Sequence, residues 1–267
     1  MKNLVGAVIG SPIAHSLSPR LHNAAFNFLQ IQGTYSAIEV KAGQMLDFLS
    51  NQGAEFDYLS ITMPLKEEAL SLPVTFDEES LRIQSVNTLI RTQDIWMGSS
   101  TDGSGLVQAL LASGNSHFEN ILILGAGGTA RAVAGSLGGI SKRISVMGRT
   151  STRREVIERC VQGAEFEYLR WSDSQELRDF DLVVNTTPAG AADLLSSSVN
   201  PGDARLLFDV IYKPWPTVLA SRWADCGGTV LNGLELLLFQ GVDQLEKVVQ
   251  IPNREDLIRH LRDHLSK

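Results

Sequence analysis

The chain reads as an α/β protein of two domains, and three observations predict this. Apolar strand-like runs alternate with helix-patterned segments almost from end to end. The alternation starts twice, once at the N-terminus and again at "NILILGAGG", so it describes two sheets rather than one. At 267 residues with 43% hydrophobic content, the chain is long enough to bury two cores. Both sheets are expected to be parallel and wrapped by helices.

Taken in order, the first series has a strand over Leu4 to Ile9, a helix from about Pro19 to Gln30, a strand over Tyr35 to Val40 and a helix near Gln44 to Leu49. The apolar run Tyr58 to Met63 is a further strand, stopped by Pro64. In "STDGSGLVQALLASG", Asp102 can cap a helix from about Gly103 to Ala112 that carries the chain into the second series. There "NILILGAGG", "RISVMGRT", "DLVVNTTP", "RLLFDVIY" and "GTVLN" supply strands with helices between. A helix over Gly233 to Val249 returns the chain. After Pro252, the leucine and isoleucine spacing of "NREDLIRHLRDHLSK" marks an amphipathic terminal helix. The domains predicted are residues 1–102, completed by about 235–267, and residues 103–234.

Composition narrows the function. A net charge of −7 argues against nonspecific nucleic-acid binding, so an anionic ligand must be met by a few placed cations. Cys160 and Cys226 are far apart and lack metal-ligand spacing; they read as core thiols in a reducing compartment, with no metal site. The apolar run at the N-terminus is too short for a signal peptide or a membrane span. Together these predict a cytoplasmic protein with small-molecule ligands.

Two stretches carry chemistry. In "ILILGAGGTARAVAGSL", Gly125, Gly127 and Ala130 have the spacing G-x-G-x-x-A between an apolar strand and a helix. The first glycine permits a tight turn, the second lets backbone approach a pyrophosphate, and the small third residue lets helix meet strand. A tight turn that binds nothing is the alternative. The next strand ends in "VMGRTSTRR", with no acid before Glu155 to bond a ribose 2′-hydroxyl. Arg149 and Arg153 stand where a 2′-phosphate needs cations, with Thr150 adding a hydroxyl; this favours NADP, unless the arginines merely solvate a helix start.

The other stretch is "SITMPLKEEA". Lys66 sits at the mouth of a helix-favouring segment, where the helix dipole disfavours a cation and favours Glu67 and Glu68. It is either a solvated lysine paired with those glutamates or a lysine held for another purpose. In "SPIAHSLSPRLHN", Ser18 followed by Pro19 reads as an N-cap with proline at the first helical position. Capping does not explain why Ser16, Thr62, Lys66, Asn87 and Thr101-Asp102 recur at or near strand ends, where ligands bind in an open α/β sheet.

With these residues in view, the chain resembles the shikimate dehydrogenase family. "SPIAHSLSPRLHN", "ITMPLK", "SVNTL", "STDGSG", "GAGGTARA", "GRT", "NTTPAG", "DVIYKPWPT" and "GLELLLFQG" follow in that family's order over essentially the full length. The resemblance implies an N-terminal α/β substrate domain, a Rossmann-like doubly wound NADP domain, and a cleft between them where NADPH reduces 3-dehydroshikimate reversibly to shikimate. It implies Lys66 and Asp102 as the catalytic pair. Ser16 and Ser18 would bind the substrate carboxylate, and Thr62, Asn87, Tyr212 and Gln240 its ring or hydroxyls. Gly125, Ala126, Gly127, Gly128, Thr129 and Ala130 would cradle the pyrophosphate. Arg149, Thr150 and Arg153 would read the adenosine phosphate, with Asn185, Thr186 and Gly233 completing the cofactor site. A monomer or homodimer is expected, without nucleic-acid or membrane partners.

Several positions depart from the family pattern. Ser60 stands for the usual Asn before the "TMPLK" segment, Gly148 for Asn before "RT", Ser99-Ser100 for "DN" before "TD", and Ala191 for a frequent methionine. The competing readings are an NAD-linked quinate or quinate/shikimate dehydrogenase and a non-catalytic NADP-responsive regulator. The missing acid after "SVM" opposes the first, and the presence of both Lys66 and Asp102 opposes the second.

Overall fold

The structure, a computed structural model, describes residues 3–171, 177–202 and 205–267. It divides into two compact units, Met1–Gly105 with Leu237–Lys267, and Leu106–Leu236.

The first unit contains β1 (Leu4–Gly10), α1 (Ser18–Phe28), β2 (Gly33–Glu39), α2 (Met45–Gln52), β3 (Tyr58–Ile61), α3 (Leu65–Glu68), β4 (Thr75–Phe76), α4 (Glu78–Ile83), β5 (Thr88–Thr92) and β6 (Ile95–Ser99). α5 (Asp102–Ala112) then leads into the second unit. That unit holds β7 (Phe118–Leu124), α6 (Gly128–Leu137), β8 (Ser141–Gly148), α7 (Arg154–Glu158), β9 (Glu165–Arg170), β10 (Leu182–Asn185), β11 (Leu206–Asp209), α8 (Val218–Asp225) and β12 (Thr229–Asn232). The chain returns through α9 (Gly233–Glu246) and ends in α10 (Arg254–Leu265).

The first sheet has the order β2-β1-β3-β5-β6-β4. Its β1 pairs parallel with β2 and β3, whereas β5 runs antiparallel to both β3 and β6. The expectation of two parallel sheets is therefore corrected: this one is mixed. The cause is a tight hairpin turning at Gln93 and Asp94, both with positive φ (50° and 64°), which joins β5 directly to β6. The reversal matters for function. Because β5 begins where β3 ends, Asn87, just ahead of β5, accepts the Ile61 amide at 2.7 Å and donates its own amide to the Ser99 carbonyl at 3.1 Å. Three strand ends thereby meet at one edge. Ala7, Ile9, Val40, Met45, Phe48, Leu59, Leu65 and Leu89 pack beneath them as one apolar cluster.

The second sheet is wholly parallel in the order β12-β11-β10-β7-β8-β9. Counted from β7 this is the doubly wound arrangement, with its topological switch between β7 and β10. Leu122, Leu124, Val183 and Leu207 lie in its core with Trp223 of α8. Among the described residues, no helix is long and apolar enough to cross a membrane.

Candidate active site

Lys66 lies in α3, a single turn after β3, so the dipole that would oppose a cation is itself small. Glu68 does not serve as the lysine's counter-ion. Its carboxylate accepts the backbone amides of Gly43 and Met45 at 2.8 and 3.1 Å, ahead of and at the start of α2. The Lys66 ammonium instead makes a very short ion pair with the Asp102 carboxylate, the two side chains being 16% and 6% exposed. α5 begins on Asp102 itself, one residue before the expected start.

The second Asp102 oxygen accepts from Asn87 Nδ2 at 2.7 Å. Asn87 also donates to Thr101 Oγ1 at 3.0 Å and, at 3.4 Å, to Gln240 Oε1. Its Oδ1 accepts the Thr101 amide and the Thr88 hydroxyl, both at 2.8 Å. These bonds leave the amide of Asn87 one orientation. Gln240 reaches the cluster because α9 touches α5 backbone to backbone: a Cβ on Gly105 would stand 2.7 Å from the Gln240 amide nitrogen.

Behind Asn87 runs a buried chain of donors. The Tyr35 hydroxyl donates to Ser60, Ser60 to Gln244 Oε1 at 2.6 Å, and Gln244 Nε2 to Thr88 Oγ1 at 2.9 Å and to the Asn87 carbonyl at 3.2 Å. Every bond points toward Asp102, through Thr88 and Asn87. Beside it, His22 stacks on Tyr35 with ring centroids 4.0 Å apart and shares a 2.8 Å hydrogen bond with Tyr58 through Nδ1. Burial drives the His22 pKa down to about 3, with Gln244 opposing part of the shift, so this imidazole is neutral near pH 7. Burial likewise pushes the Tyr35 and Tyr58 hydroxyls up, keeping them protonated donors.

The structure thus joins Lys66, Asp102, Asn87 and Gln240 in one network. Thr62 follows β3, half-buried. Ser16 and Ser18 lie together at the start of α1, the Ser18 amide donating to Ser16 Oγ at 3.3 Å. The N-cap position is Leu17 and no side chain caps the helix, which corrects the reading of Ser18 as the cap; Ser18 is the first helical residue, 6% exposed. Gln244 was not expected in the network, although a signal was present: Gln240 and Gln244 stand one turn apart on a helix rich in buried leucines. His22 and Tyr35 left no such mark.

In the second unit, Tyr212 follows β11 and is half-buried. Gly125 follows β7 with φ +104°, and a Cβ there would meet Thr186 Oγ1 at 2.7 Å. Thr186 donates to the Leu124 carbonyl at 2.7 Å, so the end of β10 clamps the turn after β7. A Cβ on Gly127 would meet nothing within 4 Å. Gly128 and Thr129 then open α6, and buried Ala130 packs it down. Open space at a helix N-terminus suits the pyrophosphate of a dinucleotide. Arg153 donates to the Ala126 carbonyl at 3.1 Å, tying the loop after β8 to this turn, while Arg149 and Thr150 are exposed.

Asn185 is 1% exposed and its amide is committed inward, Nδ2 to Asp209 at 3.1 Å and Oδ1 to the Thr187 amide and hydroxyl. Asp209 is fully buried, and burial raises its pKa against the hydrogen bonds from Thr217, the Ile211 amide and Asn185. Gly233 is required by close packing, since a Cβ would fall 2.1 Å from the Val210 carbonyl. Both positions thus have a structural role within this unit. Among the described residues, no group of three or more His, Cys, Asp or Glu side chains is placed to hold a metal ion.

The family model for the shikimate dehydrogenase substrate binding domain matches residues 8–89, and that for shikimate / quinate 5-dehydrogenase matches residues 106–211. A shikimate dehydrogenase (NADP(+)) of Staphylococcus aureus is 34% identical over 250 residues, 90% of either chain. The crystal structure of Mycobacterium tuberculosis shikimate dehydrogenase is 33% identical, with TM-score 0.84 over 97% of this chain and 99% of that one. A Thermus thermophilus shikimate 5-dehydrogenase, solved with NADP(H) and shikimate, is 29% identical, with TM-score 0.84 over 98% of this chain and 99% of that one. With two family models matched in succession and a third of its residues shared along nine-tenths of a curated relative, the chain belongs to the shikimate dehydrogenase family.

Proposed function

We propose that the chain is an NADP-dependent shikimate dehydrogenase, catalysing the reversible reduction of 3-dehydroshikimate to shikimate. The observation that carries this reading is the Lys66–Asp102 pair, held from behind by Asn87. Reducing a ring ketone puts negative charge on its oxygen and then requires a proton there. Lys66 supplies both, as a cation beside the developing alkoxide and as the acid that protonates it; in reverse its amine takes the hydroxyl proton. Asp102 orients the ammonium and accepts from a neighbouring substrate hydroxyl. Ser16 and Ser18 bind the carboxylate, while Thr62, Asn87, Tyr212 and Gln240 contact the ring and its hydroxyls.

Bound NADPH supplies the hydride. The residues of the glycine turn from Gly125 to Ala130 hold its pyrophosphate, the space above Gly127 admitting close backbone approach. Arg149, Thr150 and Arg153 hold the 2′-phosphate. Thr186 supports the turn, and Asn185 and Gly233 shape the site without direct side-chain contact. The first unit, residues 1–105 with 237–267, is then the substrate domain and the second, residues 106–236, the cofactor domain. The reading places the protein in the cytoplasm as a monomer or homodimer acting on small molecules.

The test is an absorbance assay at the nicotinamide band with shikimate and quinate, each with NADP and NAD. Shikimate with NADP is expected to exceed every other combination at least about tenfold in kcat/KM. Quinate's extra hydroxyl must find a partner beside the carboxylate or stay unpaired, at a cost of about 1 to 3 kcal/mol. Comparable rates on both acids would make the protein a dual-specificity enzyme. Tight NADP binding without turnover in any combination would make it a regulator.

A further inference from the structure

β8 ends at Gly148, and the loop that follows carries Arg149, Thr150 and Arg153. The strand beside it, β9, forms one edge of the second sheet and bears Tyr168. The Tyr168 hydroxyl donates to the Thr150 carbonyl at 2.6 Å. A Cβ built on Gly148 would fall 2.0 Å from that hydroxyl oxygen and 2.9 Å from Cζ, so no side chain at 148 can coexist with the tyrosine where it stands. Glycine at 148 and tyrosine at 168 are a matched pair: the ring takes the space a side chain would fill.

We propose that Tyr168 is a positioning residue for the loop that reads the 2′-phosphate and thereby helps set the choice between NADP and NAD, an inference that rests on the cofactor reading above. Glycine frees the backbone entering this loop, and a freed loop cannot hold cations in register. Tyr168 restores the restraint from the neighbouring strand. Its bond also keeps the Thr150 carbonyl dipole pointed at β9, so that the oxygen's partial negative charge is not offered to an incoming phosphate. Beyond Thr150 the chain makes a 3-10 turn over Ser151–Arg153, which brings Arg153 back to the Ala126 carbonyl. Arg153 is close enough for its charge to act on the Tyr168 hydroxyl, opposing the upward push of partial burial on that group's pKa. Arg149 is exposed and makes no hydrogen bond or ion pair among the described residues, leaving its guanidinium available to the same anion. Tyr168 touches neither reacting atoms nor, in this account, the phosphate; it acts through Thr150 and the backbone on either side.

The test is a fluorescence titration of NADPH and of NADH against the unmodified protein, Tyr168→Phe, Gly148→Ala and the double variant. Losing the hydroxyl is expected to raise the Kd for NADPH about three- to tenfold and leave that for NADH within about twofold. The melting temperature should be unchanged, the ring being kept. Gly148→Ala should reproduce the loss by displacing the hydroxyl, and the double variant should be no worse than the worse single one, because both changes break the same bond. An unaltered NADPH affinity in Tyr168→Phe, an equal loss with NADH, or fully multiplicative losses would each overturn the role of Tyr168. A different outcome, equal affinity of the unmodified protein for NADPH and NADH, would overturn the cofactor reading and this inference with it.

Discussion

The two candidate sites are built in opposite ways. Around Lys66 and Asp102 the polar groups are buried, and the line from Tyr35 through Ser60, Gln244, Thr88 and Asn87 commits each donor to the next. Around the glycine turn the backbone does the shaping, through Gly125 and the space above Gly127, and the cations of the adjoining loop stand in solvent. The contrast follows from what the proposed function asks of each site. Charge developing on a reacting oxygen is stabilised most by groups fixed beforehand in a medium that screens poorly. A phosphate that keeps its charge throughout needs only cations and amides within reach, and exposed cations cost little to maintain.

Variants can break this contrast at several points. The largest effect is expected at Lys66: Lys66→Ala should lower kcat about 10²- to 10⁴-fold with a modest change in KM for shikimate and none in NADPH affinity. Near-normal turnover would return the residue to an ordinary surface lysine. Combining it with Asp102→Asn should give less than the product of the two losses if the pair works as a unit.

Gln244→Leu should destabilise the protein by about 2 to 4 kcal/mol in chemical denaturation, because it removes the acceptor of the Ser60 hydroxyl and the donors to Thr88 Oγ1 and the Asn87 carbonyl, all buried. Arg149→Ala should leave stability within about 0.5 kcal/mol and instead raise KM for NADP at least about tenfold, NAD being unaffected, as loss of a charge-assisted phosphate contact requires. Equal stability losses in the two variants would remove the distinction between a buried and a solvated site.

The smallest expected effect is a slope. His22 has a folded pKa near 3 against 6.5 unfolded. Between these values the unfolded chain binds a proton that the folded one refuses, so stability falls as pH drops below about 6.5. The contribution approaches ~1.4 kcal/mol per pH unit. His22→Gln should flatten the stability profile between pH 6 and 4.5 by about one proton; an unchanged slope would show that His22 is protonated in the folded state.

The signals of the proposed cofactor side are local in the chain. A glycine spacing between a strand and a helix, or arginines without an acid at a strand end, lie within a dozen residues. The members of the proposed substrate side were singled out in the sequence, but their connection was not. Lys66, Asn87, Asp102 and Gln240 are 174 residues apart at the extremes, and only the antiparallel course of β5 shows how Asn87 meets Asp102. That course was hidden because the hairpin turns on Gln93-Asp94 rather than on Asn-Gly or Asp-Gly, the usual mark of two positive φ values. Lys66 was expected near a strand end and lies in α3, shortly after β3, but the expectation rested on a helix dipole that a single-turn helix cannot supply. A buried histidine on the inner face of α1 carries no local sign at all; its role depends on Tyr35 and Tyr58, brought to it by two separate strands.

The first unit is discontinuous in sequence, with Gln240 and Gln244 supplied by residues 237–267 and α10 laid against α1, where Phe28 stacks on His260 at 4.6 Å. On the ribosome this sets an order of assembly. The second unit is one contiguous stretch and can close as soon as residue 236 has emerged. The first waits through its synthesis, on the order of ten seconds at usual elongation rates, with the underside of Asn87 and the face of α1 uncovered. Its polar network is thus completed only by a segment made after the whole second unit, and a message truncated after residue 236 would yield an intact second unit and a first sheet whose Ser60 and Thr88 have lost Gln244.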